Sequence, residues 1–347
     1  MDAVRAVTFQ APGEVRVEEK AEPRLGAGDD AVVRVEASGI CGSDLHIYHG
    51  RVPVEPGFTI GHEFVGTVLE LGADVDRVAV GDRVLGCFHT ACATCASCLR
   101  GDYHRCLKGQ TFGHGANLGD LQGAQAEQLL VPRANLTLRR VPAGMSADVA
   151  LFAGDVMGTG YHAVAHAGMR SGDTVAVLGL GPVGLCAVQA ALAGGAVEVF
   201  AIDTVAARLE MAASFGATPL HLTEAEPKKA VRAATAGLGV DVAVDAVGDP
   251  GPLALAISLA RDAGTVSGIG AYAGRGELPL GLAWLKGLDL KLGLANVIAH
   301  VDRVLALMAA GKLDPAPLVS HHMSLERASE AYELYDRREA LKIVLTP

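Results

Sequence analysis

The chain has 347 residues, 29 of them Lys or Arg and 39 Asp or Glu, which gives a formal net charge of −10. That acidity argues against a protein that wraps nucleic acid or coats an anionic membrane. A hydrophobic share of 50% is too high for a disordered chain. At roughly 150 residues per domain the length predicts about two domains, and 43 glycines, well above the usual share, predict many tight turns or close backbone approaches.

No long apolar stretch follows a basic start in the N-terminal MDAVRAVTFQ, so no secretory signal is expected and a cytoplasmic location is. The seven cysteines are odd in number, and four crowd between Cys92 and Cys106. That is a poor disulfide framework; in a reducing cytosol it reads better as metal ligation.

The first 150 or so residues alternate in the β manner, as in Glu14–Glu18, Val33–Glu36, Phe64–Val68 and Gly81–Val84, and predict a small antiparallel barrel. After Gly172 the apolar strands Thr174–Leu178, Val197–Ile202, Val240–Val244 and Thr265–Ile269 alternate with Ala- and Leu-rich helical stretches. This βαβ succession predicts a parallel, doubly wound sheet. The 23 uncharged residues from Val175 to Val197 are long enough to span a bilayer, but their glycines and Pro182 divide them into strand, turn and helix, so no membrane span is expected. Beyond about Leu292 the alternation stops. Ile298, Val301, Val304, Leu305 and Met308 form a helical stripe ended by Gly311, and a last helix near Leu325–Arg337 leads into a strand over Leu341–Leu345. This tail is too short for a domain and is expected to pack back on one of the others.

Three sets of residues carry chemistry. The strand TVAVL runs into Gly179-Leu180-Gly181-Pro182-Val183-Gly184 and directly into a helix. In such a turn the first Gly permits the bend, the second admits a pyrophosphate and the third lets helix and strand pack closely, while the helix N-terminus supplies N–H groups. Asp203, nineteen residues after Gly184, closes the next strand. A carboxylate there accepts from the ribose hydroxyls and repels a 2′-phosphate, which selects NAD over NADP.

The second set is Cys92-x2-Cys95-x2-Cys98-x7-Cys106. Four thiolates this close can complete a tetrahedron around a structural Zn²⁺. An iron–sulfur cluster is the rival, although in the ferredoxin pattern the fourth Cys comes after three residues and precedes Pro, whereas here Leu107 follows Cys106. Reduced free thiols are the third reading. The last set is Ile40-Cys41-Gly42-Ser43-Asp44-Leu45-His46 followed by Gly61-His62-Glu63, which by themselves do not make a metal site. Cys87 and Cys186 read as packing. His114, His162, His166, His321 and His322 receive no role, apart from a subunit contact for the last two.

CGSDLHIY, GHEFVGTV, the four-cysteine lobe and GLGPVG followed by Asp203 occur in an order and spacing that resemble the zinc-dependent alcohol dehydrogenases of the medium-chain dehydrogenase/reductase family, over nearly the whole chain. The resemblance implies an α/β protein: a Rossmann doubly wound parallel sheet over 157–293, and a discontinuous, mainly β, GroES-like catalytic domain built from 1–156 and 294–347. It implies that Cys41 and His62 hold a catalytic zinc with Asp155, in GDVMGTGYHA, as third ligand, leaving a fourth position open. Glu63 matches a position that swings in as a ligand while substrate is absent, and Asp44 the carboxylate that orients His62. Two zinc ions per chain, one catalytic and one structural, and NAD are therefore expected.

The activity implied is hydride transfer between an alcohol or polyol and NAD from a zinc-bound alkoxide, with Ser43 taking the proton and passing it through the cofactor ribose to His46. The partner is a small alcohol, aldehyde or ketone, with no nucleic acid and no membrane, and the protein is expected to be a homodimer or homotetramer. Further matches place Arg208 beside the adenosine ribose, Val183, Ile269 and Ala271 along the nicotinamide, Lys342 on the pyrophosphate and Phe88 in the substrate pocket. Gly42 replaces a basic pyrophosphate ligand of animal members. CGSDLHIY is also similar to threonine 3-dehydrogenases and sorbitol dehydrogenases, and GHGANLGDLQGAQAEQLLVP loosely to formaldehyde-handling relatives. The reading from a different class is a zinc-stabilised nucleotide-binding or electron-transfer protein without dehydrogenase activity.

Overall fold

The N-terminal alternation makes a hairpin of β1 (Ala3–Ala11) and β2 (Glu14–Ala21), paired antiparallel around Gly13, whose φ of +80° disfavours any side chain. The computed structural model describes residues 3–272 and 276–347. These fall into two units: the chain up to Asp155 with 296–310 and 314–347, and Val156–Ala295 with 311–313.

In the first unit β3 (Ala31–Ile40), β4 (Phe58–Thr59), β5 (Glu63–Leu71), β6 (Arg83–Gly86), β7 (Gln128–Val131) and β8 (Leu138–Arg140) follow, with a short helix α1 (Asp44–Tyr48) between β3 and β4. Strand β4 joins the hairpin in a three-stranded sheet. Period-2 patterning puts Val33, Val35, Phe64, Val68, Val84 and Leu129 into one buried cluster, while Arg34 points out. Each such side chain contributes roughly 1.5–3 kcal/mol on burial.

The second unit carries β9 (Thr174–Leu178), β10 (Glu198–Asp203), β11 (Thr218–His221), β12 (Val240–Asp245), β13 (Ala260–Gly268) and β14 (Asp289–Leu292), all parallel in the order β11-β10-β9-β12-β13-β14. That reversal of strand order at β9/β12 is the doubly wound arrangement that opens a ligand crevice at the strands' carboxyl ends. Helix α2 (Val156–Ala167) crosses α3 (Pro182–Ala193) at Gly160, where a Cβ would lie 2.6 Å from the Ala187 nitrogen. Strand β13 begins five residues earlier than its apolar run predicts. Arg261 is held by Asp241 at 2.7 Å, which lets a polar start join the sheet. Among the described residues no helix is long and apolar enough to cross a membrane.

The chain then returns to the first unit through α4 (Val297–Ala309), β15 (His321–Ser324), α5 (Ala328–Asp336) and β16 (Ile343–Thr346). Strand β16 pairs antiparallel with β3, Ile343 opposite Ile40, and β15 pairs parallel with β16. The seven-stranded sheet β15-β16-β3-β5-β6-β8, with β7 on β3, is therefore mixed rather than wholly antiparallel. Leu325, Tyr332, Ile343 and Leu345 share a core with Ile40, Ile47, Tyr48 and Phe58.

One polar contact fastens this return. Lys342 is wholly buried; its ammonium donates to Glu63 Oε1 and to the Ile40 carbonyl at 3.1 Å. Removing one partner of a buried pair strands a charge at a cost of roughly 3–5 kcal/mol, whereas removing both costs far less. Lys342→Met should therefore lower unfolding stability in denaturant by about that amount, and Glu63→Gln combined with Lys342→Met should recover most of it; equal losses in single and double variants would contradict the pairing.

Candidate active site and metal centres

Cys41 follows the last residue of β3, and Glu63 opens β5 directly after His62. Because β3 and β5 are antiparallel neighbours, Gly39 opposite Glu63, residues twenty-one positions apart meet at one edge. A Cβ on Gly39 would lie 2.5 Å from Glu63 Oε2, so this glycine makes the room for the carboxylate. Asp155 arrives after the 3-10 turn Leu151–Gly154, which approaches β6 where a Cβ on Gly154 would fall 2.0 Å from the Gly86 carbonyl. One ligand atom from each of Cys41, His62, Glu63 and Asp155 lies within 4.8 Å of the others.

His62 Nε2 is hydrogen-bonded to Asp155 Oδ2 at 3.1 Å, and Nδ1 lies 3.1 Å from Asp44 Oδ1 without hydrogen-bond alignment. Burial alone would lower the His62 pKa, but the charge of Asp44 and the hydrogen bond to Asp155 hold it well above its ordinary value. Burial pushes the Glu63 carboxyl up to about 7 against the pull of Lys342, with Asp155 adding to the rise. Burial also raises the Asp155 carboxyl, yet His62 outweighs it and holds the group below the carboxylate range. Asp44, fully buried, spends Oδ2 on the Cys41 N–H at 2.9 Å and so fixes the thiol-bearing turn, while its Oδ1 lies against the ring.

This donor set suits a cation. It offers a sulfur, a nitrogen and two carboxylates, and Glu63 Oε2 is buried with no hydrogen-bond partner among the described residues. Mixed S, N and O donors match a borderline-soft ion such as Zn²⁺. Ser43, which precedes α1, has Oγ 3.4 Å from His62 Nε2, and half-buried His46 lies on α1 itself. Burial, together with Arg51 and His49, lowers the His46 pKa. Phe88 meets the His62 ring edge-on at 6.3 Å, and His114 does so at 4.9 Å with its Nδ1 facing the Phe112 carbonyl at 2.9 Å.

The second cluster is local. Cys95 and Cys98 sulfurs are 3.6 Å apart, and Cys92–Cys98 and Cys95–Cys106 each 4.0 Å. These are far longer than a disulfide and close to the edge of about 3.8 Å that a tetrahedron with a metal–sulfur bond near 2.3 Å requires. They leave room for a single ion. Thr94, through its hydroxyl and its N–H, lowers the Cys92 thiol to about 5, whereas burial and neighbouring sulfurs push Cys98 up to about 12.

In the other unit the glycine turn divides its labour. Gly179 adopts φ +84° with Val247 2.4 Å from where its Cβ would be; a Cβ on Gly184 would lie 1.8 Å from the Gly179 carbonyl; a Cβ on Gly181 would meet nothing within 4 Å among the described residues. The first and third glycines are thus demanded by packing, while the second borders open space that suits a phosphate at the N-terminus of α3. Asp203 accepts the Leu180 N–H on Oδ2 at 2.6 Å and those of Thr204 and Val205 on Oδ1, with Arg208 3.9 Å away. It shapes the turn. Val183 and Ile269 are half-buried and Ala271 is exposed.

The pyrophosphate assignment of Lys342 does not match its position: the ammonium is spent on Glu63 and the Ile40 carbonyl, away from solvent. Several residues gave no signal of their role. Asp245, buried at the end of β12, takes the Tyr272 hydroxyl on one oxygen and the Val247 N–H on the other, tying two loops at the crevice; a charge ending an apolar strand was the available hint. His114 offers no spacing to His62 that a reader could use.

Profiles of two families match the chain: the alcohol dehydrogenase GroES-like domain over residues 27–143 and the zinc-binding dehydrogenase over residues 182–310. The chain is 37% identical to a probable zinc-binding alcohol dehydrogenase of Mycobacterium tuberculosis, over 99% of this chain and 89% of that one. It is 33% identical to an L-threonine 3-dehydrogenase of Bacillus licheniformis, over 92% and 91%. Among solved structures the alcohol dehydrogenase TADH of Thermus sp. ATN1 shares 46% identity and a TM-score of 0.96, with 99% of each chain covered. With two metal-type donor clusters in a barrel-like unit and a glycine turn in a doubly wound one, matched along almost its whole length, the chain belongs to the zinc-dependent alcohol dehydrogenases of the medium-chain dehydrogenase/reductase family.

Proposed function

We propose that this oxidoreductase transfers a hydride between an alcohol or polyol and NAD, with one catalytic and one structural zinc per chain. The observation that carries this reading is the convergence of Cys41, His62, Glu63 and Asp155 on a volume one ion can occupy. A zinc ion held there by Cys41, His62 and Asp155 would supply Lewis acidity, lowering the pKa of a substrate hydroxyl. Asp44 orients His62 and keeps its other nitrogen free for ligation. Ser43 takes the substrate hydroxyl proton as it gives up its own along a relay that ends at His46 on the following helix, which exchanges the proton with water. Glu63 Oε2 would be the reserve donor to that ion when substrate is absent. Phe88 and His114 flank the His62 ring and wall the substrate side. The cysteine lobe holds the structural ion, and its sulfur spacing favours zinc over an iron–sulfur cluster.

Gly179, Gly181 and Gly184 cradle the pyrophosphate at Pro182, with Val183, Ile269 and Ala271 along the nicotinamide. Asp203 argues for NAD, because its carboxylate would repel a 2′-phosphate. Oxidation of a β-hydroxy amino acid is the second reading, favoured by the likeness to a threonine dehydrogenase. Thiol-rich sites suit a reducing cytoplasm. A homodimer or homotetramer is supported by β14, an edge strand whose Leu290 and Leu292 are exposed, followed by exposed Leu294.

A panel of alcohols, polyols and β-hydroxy amino acids with NAD⁺ and NADP⁺, run beside metal analysis, tests the assignment: two zinc ions per chain and NAD⁺-linked oxidation are expected. Asp203→Gly should relax the preference for NAD⁺, and unchanged discrimination would remove that role. His46→Gln should lower kcat by about a hundredfold. Because the His46 pKa lies below that of a free imidazole, the wild-type acid limb should fall below the ordinary histidine range, and the variant should lose it. Light scattering should return two or four chain masses.

A further inference from the structure

Gln125 sits between the two bends that carry Cys41 and His62, and no part of its side chain reaches solvent. Its Nε2 donates to the Gly39 carbonyl at 3.0 Å, two residues before Cys41. Its Cγ packs where a Cβ on Gly61 would be, 2.4 Å away, one residue before His62. The backbone repeats the grip: the Gln125 N–H donates to the Ile60 carbonyl at 3.1 Å, and the Ala124 N–H to the Gly61 carbonyl at 2.8 Å. Gly61 itself adopts φ +90°, so it combines a left-handed backbone with the absence of the one atom that would collide with Gln125.

The orientation of this amide is determined by chemistry. The Gly39 carbonyl can only accept, so Nε2 must face it, and Oε1 must face the other way. There it accepts the Tyr332 hydroxyl at 2.9 Å. Tyr332 is fully buried on α5, and its ring lies 5.5 Å from that of Tyr48 on α1, the helix that begins at Asp44. The C-terminal segment thus holds two successive carbonyls ahead of Cys41: Gly39 through Tyr332 and Gln125, and Ile40 through Lys342. None of these groups is among the four clustered donors.

We propose that Tyr332 and Gln125 are a positioning pair for the catalytic metal, setting the separation of the Cys41 and His62 bends and making metal retention depend on docking of the C-terminal segment. The proposal rests on the two-zinc reading above. Losing the Tyr332 hydroxyl leaves a buried amide oxygen unpaired and frees the amide to turn, which loosens the Gly39 carbonyl and with it the thiol-bearing turn. Outer partners of metal ligands commonly change metal affinity by about 10–100-fold.

The test measures zinc release from the holoenzyme to a chromophoric chelator, in which the two sites give separate phases. Tyr332→Phe, which keeps the ring, and Gln125→Leu should each accelerate the catalytic-site phase by about tenfold or more and leave the cysteine-lobe phase unchanged. The double variant should release no faster than the quicker single variant, as expected for residues acting through one contact. Ala331→Gly, on the same helix and chosen to match the loss in Tm, should release at wild-type rates in both phases. The proposal is overturned if Tyr332→Phe releases zinc like the wild type, or if Ala331→Gly accelerates release equally, since the effect would then be general destabilisation. A wild-type protein holding fewer than two zinc ions would instead overturn the metal reading on which the proposal stands.

Discussion

The meeting of Lys342 with Glu63 is the contact on which much else depends. The two residues are 279 positions apart and neither has exposed side-chain surface. A lysine placed there without a counter-charge would cost several kcal/mol in desolvation, so strand β16 can dock beside β3 only if Glu63 is already turned inward. Glu63 can turn inward only because Gly39 has no side chain. The same docking closes the seven-stranded sheet and buries Tyr332 against Tyr48. Fold closure and the arrangement of the donor cluster are one event.

Charge balance makes this region suited to a cation. Asp44, Glu63 and Asp155 are all buried near one another, and His62 and Lys342 are the bases that face them. A histidine that must ligate through a neutral ring cannot also supply a positive charge. A divalent ion on the cluster would remove that conflict: it would neutralise the carboxylates and leave His62 as a donor, with Asp44 on the far side of the ring. Stability of the folded unit and readiness for chemistry therefore favour the same occupant.

Legibility in the sequence follows the range of the interactions. The turn from Gly179 to Gly184 was readable because strand, turn and helix are contiguous and each glycine answers to a local steric demand. The β9 boundaries agree with the apolar run to the residue. The start of β13 was not readable, because pairing of Arg261 with Asp241 outweighs the polarity of the segment. Lys342 shows the limit of a positional match: its place in the closing motif was recognised, but its partner is set by the return of the chain to Glu63. Gln125, Tyr332 and His114 lie still further out of reach. An amide, a phenol and an imidazole have no distinctive spacing to the residues of the donor cluster, and only the folded sheet brings them together.

The two donor clusters differ in the same way, and the difference bears on how the protein is assembled. Cys92, Cys95, Cys98 and Cys106 lie within fifteen residues, so a single loop can gather them before the rest of the chain is in place. Closing so short a loop costs little chain entropy, and the metal itself can supply the ordering. Cys41, His62 and Asp155 span more than a hundred residues, and their supports at Gln125, Tyr332 and Lys342 extend the requirement to the end of the chain. Such a site cannot reach its final geometry until the second unit has been traversed and β16 has paired with β3. The four-cysteine cluster is therefore a local staple and the cluster of Cys41, His62, Glu63 and Asp155 a product of completed folding, which ties its geometry to the integrity of the whole first unit.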